Sequence, residues 1–339
     1  MTGAPPEAPP ALRISQDAWS RFLCDPVMAD TVIFNVRLDA FQCARLRYYW
    51  WTQNVIDSSG VGSGKTVVDF IFLCLRCILI PRHQGAVFYP SFGTGKNSFW
   101  EYFGGFAMSG RAPIFTAQLG NPLKTEPGEE VAGDGTLHGP DCYTAFFRNG
   151  NKLKMPAPSI ALDSVRAASL TVNTLIIEEW NKIDAASDAI DKQLIDRARG
   201  ASWNQYHPVW GNHIIYSGHA HTRLHPSAAR FNSHERRVRA GDPTYANLHY
   251  SYKDFSDLHC HTGKSFKDEF RVESTINNKR AVCNKADWLG QGFGIWGADG
   301  TGWFTEEAIL NCIARGKPRN VLPYLSRAQY LEAQPQIKG

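Results

Sequence analysis

Ser58-Ser59-Gly60-Val61-Gly62-Ser63-Gly64-Lys65-Thr66 is the stretch on which the fold turns. Three glycines alternate with small residues and end in a lysine and a hydroxyl, the composition of a loop whose backbone N–H groups converge on phosphate oxygens where side chains would collide. Working outward, Trp51 to Asp57 reads as a strand entering this loop, and Val67 to Ile80 as a helix that is apolar all round and therefore buried. Asp69 and Arg76 alone interrupt that apolar run. Strand, glycine loop and buried helix are the context a phosphate-binding loop requires. In that reading Ser59, Gly60, Val61, Gly62, Ser63 and Gly64 line the phosphates, Lys65 reaches the β and γ phosphates of ATP, and Thr66 offers its hydroxyl to Mg²⁺. The strict pattern has glycine where this chain has Ser59.

A second element stands further along the chain. Leu175-Ile176-Ile177-Glu178-Glu179 is an apolar strand ending in two carboxylates, the place where such ATPases hold the metal and activate the attacking water. Glu178 takes the metal side in place of the usual aspartate, reaching Mg²⁺ through a water, and Glu179 is the expected base. The plainer alternative is two solvated carboxylates at a helix start. The strand His213 to Tyr216 ends in Ser217-Gly218, where a small polar residue can sense the γ-phosphate. Gln42, in Leu38-Asp39-Ala40-Phe41-Gln42, sits one helix and one strand before the loop, a position from which an amide can read an adenine edge.

The remaining pattern is α/β. Helices are expected over Ile14 to Phe22 and Asp39 to Tyr49, a strand over Gly85 to Ser91, a helix near Asn97 to Phe103 and hairpin-like strands within Cys142 to Met155. Strands alternating with helices imply a mostly parallel sheet with helices on both faces. The texture turns polar after His219, and Gly290 to Gly302 reads as a flexible or tightly turning region before a helix over Thr305 to Ala314. The expected organisation is a disordered proline-rich tail over 1–12, an ATPase domain over 13–221 and a basic linker or lid subdomain over 222–339.

Composition excludes more than it identifies. The net charge is +4, and from Thr222 onward 17 Lys and Arg face 12 Asp and Glu, a modest surplus compatible with nucleic acid. No apolar run is long and uncharged enough for a membrane span, and the proline-rich start lacks the character of a secretory signal, so a cytoplasmic chain is expected. The 8 cysteines read as reduced, mostly buried thiols. Nine of the 11 histidines fall between His207 and His261, but His259-Cys260-His261 with Cys283 do not match a zinc spacing. Gly290-Gln291-Gly292-Phe293-Gly294 has no strand before it and is not a dinucleotide fingerprint. Gly93-Thr94-Gly95-Lys96 follows a strand without a hydroxyl after the lysine, which suits a turn or a DNA contact better than a phosphate loop.

Taken together, Phe41-Gln42, the glycine loop, the strand and helix around Phe88 to Phe103, Glu178-Glu179 and Ser217-Gly218 occur in the order and spacing of the large terminase subunits of tailed bacteriophages, and the stretch from Leu38 to Ala220 resembles their ATPase part. A looser echo lies in Trp288 to Ile309, where Trp303-Phe304-Thr305-Glu306-Glu307 resembles the end of the linker subdomain. Helicases share most of the first four features. The resemblance implies an ASCE/RecA-like P-loop NTPase with ATP and Mg²⁺ as cofactors, driving double-stranded DNA into a procapsid. It further implies a homo-oligomeric ring, a portal protein and a small terminase subunit as partners, and residence in the host cytoplasm, docked transiently on the procapsid. Arg166, followed by Ala167, corresponds to a family arginine that can act in trans on a neighbouring subunit's ATP. Two departures stand out: Val61 replaces an arginine frequent in the family's loop, and the sequence ends at Gly339, about where a nuclease domain would begin, so no nuclease activity is expected from this chain alone. A helicase-like ATPase and a nucleotide-binding assembly module that does not hydrolyse remain the alternatives.

Overall fold

In the computed structural model, strand β1 (Asn54–Asp57) leads into the glycine loop, and the 15-residue helix α4 (Lys65–Leu79) leaves it. The structure describes residues 14–108, 110–120, 136–138, 142–157, 172–182, 211–221, 226–256, 258, 264–265, 268, 272–283 and 285–296. The chain divides into two units, one comprising Met1–Gln53 and Thr66–Ile215 and the other Asn54–Lys65 and Tyr216–Gly339. Thr222, where the sequence suggests a boundary, lies outside the described residues, as do the tail over 1–12 and the helix expected over Thr305 to Ala314.

In the first unit, helices α1 (Gln16–Cys24), α2 (Pro26–Ile33) and α3 (Ala40–Trp51) precede α4. After it come β2 (Gln84–Phe88), α5 (Phe92–Phe99), a π-helical turn, α6 (Gly105–Met108), α7 (Pro113–Gln118), β3 (Thr136–His138), β4 (Cys142–Phe146), β5 (Lys152–Pro156), β6 (Thr174–Glu178) and the start of β7 (His213–Ser217). The strands lie in the order β3-β4-β5-β2-β6-β7. β2 is parallel to both β5 and β6, with Ala86 opposite Lys154 on one side and Leu175 on the other. β3, β4 and β5 form the antiparallel edge. β6 is buried at all five positions, which is why Leu175, Ile176 and Ile177 at its centre are consecutive apolar residues and not an alternation.

Beyond Lys65 at its start, helix α4 carries its two other charged residues, Asp69 and Arg76, inside. Arg76 is fully buried, its Nε donating to Thr174 Oγ1 at 3.0 Å and one terminal nitrogen to the Gly211 carbonyl at 2.8 Å, with the guanidinium over the rings of Trp50 and Phe72. Burial lowers its pKa to about 9. The last carbonyls of α4 have no helical partners of their own. The β4–β5 turn supplies donors: Asn151 Nδ2 to Cys77 and Ile80, both at 2.7 Å, and Asn149 Nδ2 to Cys77 at 2.8 Å and Ile78 at 3.1 Å.

In the second unit β1 runs parallel to β8 (Tyr245–Leu248), a strand not foreseen in the polar sequence after His219, with Asn54 opposite Tyr245 and Asp57 opposite Leu248. Helix α8 (Pro226–Arg239) lies against β8 and sets Phe231 on Trp296 and His234 on Tyr245. Two short helices, α9 (Tyr252–Ser256) and α10 (Val272–Val282), precede α11 (Lys285–Phe293). Gly290 to Phe293, read in the sequence as a flexible or turning region, is therefore helical. Its neighbours explain the glycines: helix and loop meet backbone to backbone there, leaving no room for side chains. Gly93 to Lys96 likewise lie within α5 and not in a turn, and a Cβ on Gly95 would sit 2.6 Å from the ring of Tyr89. No helix among the described residues is long and apolar enough to cross a membrane.

Asp30 in α2 is fully buried, and neither carboxyl oxygen has a hydrogen-bond partner among the described residues. Burial raises its pKa to about 8 from an ordinary 3.8. The folded state therefore holds a proton that the unfolded chain releases, so the stability contributed at this site is complete below pH 3.8 and declines as pH rises to about 8. Asp30→Asn is expected to stabilise the protein by about 1–3 kcal/mol at pH 8 and above. Thermal unfolding of both proteins as a function of pH checks this, the gap closing toward the acid end.

Candidate functional site

The glycine loop begins as an extension of a strand. Beyond β1 the parallel ladder continues, Ser58 N–H donating to the Leu248 carbonyl at 3.0 Å and Gly60 N–H to the Tyr250 carbonyl at 2.7 Å. Ser59, where the strict pattern has glycine, turns its side chain into this ladder. Its hydroxyl donates to the Asp57 carboxylate and accepts the Tyr250 N–H at 3.1 Å, and the Ser59 N–H donates to the same carboxylate at 3.0 Å. Ser59 and Asp57 are both fully buried. A hydroxyl thus serves at this position because it is occupied with holding the loop's first limb. Gly62 at φ +85° and Gly64 at φ +67° adopt the left-handed conformation that other residues reach only at a cost. Val61 donates its N–H to the Gln291 carbonyl at 2.7 Å, and Ser63 is fully buried. Lys65 opens α4, and its ammonium donates to the carbonyls of Ser59 at 2.7 Å and Gly60 at 3.1 Å. Thr66 follows in the first turn, where helical N–H groups lack partners and favour an anion.

Ser217 ends β7, fully buried, and its hydroxyl has no hydrogen-bond partner among the described residues. The next residue, Gly218, donates its N–H to the Asp57 carbonyl at 3.0 Å. The second unit therefore joins the end of β7 to the strand that enters the glycine loop.

The acidic pair lies in the first unit. Glu178 is the last residue of β6 and is 3% exposed. Glu179 stands at φ +51°, a left-handed conformation for a residue with a Cβ, and its carboxylate pairs with Lys182 across a single 3₁₀ turn (Trp180–Lys182). The backbone closes that turn, Lys182 N–H donating to the Glu179 carbonyl at 2.7 Å. Such strain in an L-residue costs on the order of 1 kcal/mol or more and concentrates where a side chain must be aimed.

Asp69, on the third turn-forming position after Thr66, belongs with Glu178 and was missed as a functional candidate. It is 1% exposed. The Tyr89 hydroxyl is held well above its ordinary pKa by burial first and then by the negative charge of Glu178 and of Asp69, and Tyr102 is raised by burial together with Glu101, Glu178 and Asp69. Glu178 and Asp69, which act on both phenols, therefore share one neighbourhood with Tyr89 and Tyr102. The signal lay in the sequence: Asp69 is the one acid in helix α4, and only Arg76 otherwise interrupts the apolar run from Val67 to Ile80.

Gln42 is buried, and its amide oxygen accepts the Asp39 N–H at 2.9 Å, capping the first turn of α3, so the amide is already engaged in the helix start. Arg166, His259, Cys260 and His261 lie outside the described residues. Among the described residues no His, Cys, Asp and Glu cluster has the arrangement of a metal-binding group.

No protein-family profile matches the chain, and no curated protein sequence matches it significantly. Solved structures do. The large terminase of a thermophilic bacteriophage in complex with ATP-γ-S is 10% identical with a TM-score of 0.47, covering 77% of this chain and 53% of its own. A Thermus phage large terminase ATPase domain is 12% identical with a TM-score of 0.46, covering 83% of this chain and 98% of its own. A variant of S. cerevisiae Dbp5 bound to Gle1 and IP6 is 14% identical with a TM-score of 0.38, covering 70% of this chain and 53% of its own. The chain spans about half the length of the first of these. At such identities and TM-scores the likeness assigns no chemistry to this chain, which is left to the residues.

Ser59→Ala removes the hydroxyl that accepts the Tyr250 N–H inside the core and is expected to destabilise the protein by about 1–3 kcal/mol. Chemical denaturation measures this directly. Glu179→Asn should leave the denaturation midpoint where it is, since Asn tolerates φ near +51° and the lost pair with half-exposed Lys182 is worth little.

Proposed function

We propose that this chain binds ATP with Mg²⁺ on the Ser59–Thr66 loop and hydrolyses it to drive double-stranded DNA into a viral procapsid, as the ATPase part of a terminase-type motor. The observation that carries the reading is the loop itself: left-handed glycines at 62 and 64, a strand-anchored first limb, and Lys65 at the start of a long buried helix. The lysine ammonium rests on two backbone carbonyls of the loop, which it would exchange for phosphate oxygens. That exchange replaces two neutral acceptors by charged ones, which is favourable.

The residues then take these roles. Lys65 neutralises charge on the β and γ phosphates, and the N–H groups of the loop and first helical turn hold the phosphate oxygens. Thr66 through its hydroxyl, and Glu178 through a water, would hold Mg²⁺, which when bound offsets charge developing on the transferred group. Glu179 takes a proton from water as the water oxygen bonds to the γ-phosphorus and the bond from that phosphorus to the ADP oxygen breaks. Ser217, with its buried hydroxyl, senses the γ-phosphate. Arg166 acts in trans in a homo-oligomeric ring, stabilising equatorial charge.

A translocating motor must hold the duplex through its backbone, which carries no sequence information. Exposed Arg236, Arg237 and Arg239 in the last turn of α8 supply charge of the right sign. The portal protein, small terminase subunit and a nuclease domain are the partners that such a motor would meet.

ATP turnover measured against protein concentration, with and without double-stranded DNA, tests the proposal. Turnover should rise more steeply than linearly with concentration and be stimulated by DNA, less so as salt increases. Lys65→Ala should lose nucleotide affinity. Glu179→Gln should retain affinity and lose about 10²-fold or more in turnover, and Arg166→Ala should lose turnover only in the assembled state. Tight ATP binding without turnover at any concentration would sink the motor in favour of an assembly module. Strand displacement would instead identify a helicase-like enzyme.

A further inference from the structure

The glycine-rich end of α11 makes backbone contacts that no nucleotide role yet accounts for. Gln291 accepts the Val61 N–H through its carbonyl at 2.7 Å. The Gly292 carbonyl oxygen lies 2.6 Å from where a Cβ on Gly60 would be. Gly294, at φ +64°, passes the Ser58 carbonyl so closely that a Cβ would be 2.4 Å from its oxygen and 2.6 Å from the His249 ring. On the other side, a Cβ on Gly290 would stand 2.2 Å from the Ala220 carbonyl oxygen. One helix end therefore touches the first limb of the phosphate loop and the segment that follows Ser217 and Gly218.

The helix end is itself fixed. Gly294 N–H returns to the Gly290 carbonyl at 3.0 Å and Ile295 N–H to the Leu289 carbonyl at 3.1 Å, a glycine-terminated helix stop. Trp288 and Phe293 pack on Tyr252, and Trp296 on Phe231. Close backbone approach of this kind leaves little freedom, and a binding loop whose shape is set in advance loses less entropy when a ligand arrives.

We propose that the Gly290–Gly294 turn of α11 is a positioning element of the nucleotide site, fixing the Ser58–Val61 limb and the Ser217–Ala220 segment in the placement that ATP requires before ATP binds. The inference rests on the nucleotide-binding reading above. Its two sides serve different phosphates. The Gly294 side steadies the loop, which would hold phosphates common to ATP and ADP. The Gly290 side steadies the segment after Ser217, which would meet the γ-phosphate that only ATP carries.

Calorimetric titration of the full chain with ATP and with ADP, in the presence of Mg²⁺, separates these contributions. Gly294→Ala is expected to weaken ATP and ADP alike by about tenfold, whereas Gly290→Ala weakens ATP by about tenfold and ADP far less. Equal losses for both nucleotides in Gly290→Ala, tracking a fall in unfolding temperature, would show a merely structural contact and overturn the proposal, as would unchanged affinities in both variants. Hydrogen exchange on the unsubstituted protein gives a reading that needs no variant to fold. The Val61 amide should be protected without nucleotide, and exchange at the rate of an open loop would overturn the proposal. If the unsubstituted protein binds neither nucleotide while Val61 is protected, the nucleotide reading falls and this inference with it; normal binding beside an unprotected Val61 removes the inference alone.

Discussion

The parallel ladder between β1 and β8, carried past the strand ends to Gly60 and Tyr250, is the constraint on which the candidate site depends. A phosphate loop must be open enough to admit an anion and still hold its backbone donors in place. Here the first limb is kept in sheet geometry, its hydrogen bonds satisfied by β8, and the Ser59 side chain is turned inward to Asp57 and Tyr250. Only from Val61 does the chain leave the ladder, and the left-handed glycines then reverse it into α4. Sheet order thereby becomes loop order.

The buried charges of the first unit divide by function. Arg76 is satisfied by a hydroxyl, a carbonyl and two aromatic faces, an arrangement that ties α4 to β6 and has no outlet to chemistry. Burial first, and then the charges of Glu178 and Asp69, raise the pKa of the Tyr89 hydroxyl, so that those charges act on it through a poorly screened interior. Asp30 belongs to neither group: it is a local cost of the α2 packing, relieved by holding its proton.

Glu179 shows how a fold can spend stability on aim. A residue with a Cβ at φ +51° is strained, yet the conformation lets the chain leave β6 and enter the 3₁₀ turn with the carboxylate beside Lys182. A glycine would relax the backbone and lose the side chain. Glu178, one residue earlier in regular strand geometry, needs no such concession.

The sequence by itself determined the elements whose signal is local. Glycines before a lysine and hydroxyl located the loop; the apolar runs at Val67 to Ile80 and Leu175 to Ile177 located α4 and β6, because residues buried on every side leave no polar periodicity. The hairpin within Cys142 to Met155 was legible for the same local reason. Tertiary structure alone decided what pairs with what. Nothing in the polar stretch around Tyr245 announces a strand, since four residues with a buried Asn247 among them carry neither an alternation nor an apolar run, and the pairing with β1 is what makes them one. Why serine serves at position 59 follows from an amide almost two hundred residues away. The glycines of 290–294 looked like flexibility because composition records the missing side chain and not the backbone that occupies its place. Local conformational preference is written in adjacent residues, whereas close approach between distant segments is fixed only when the chain has folded.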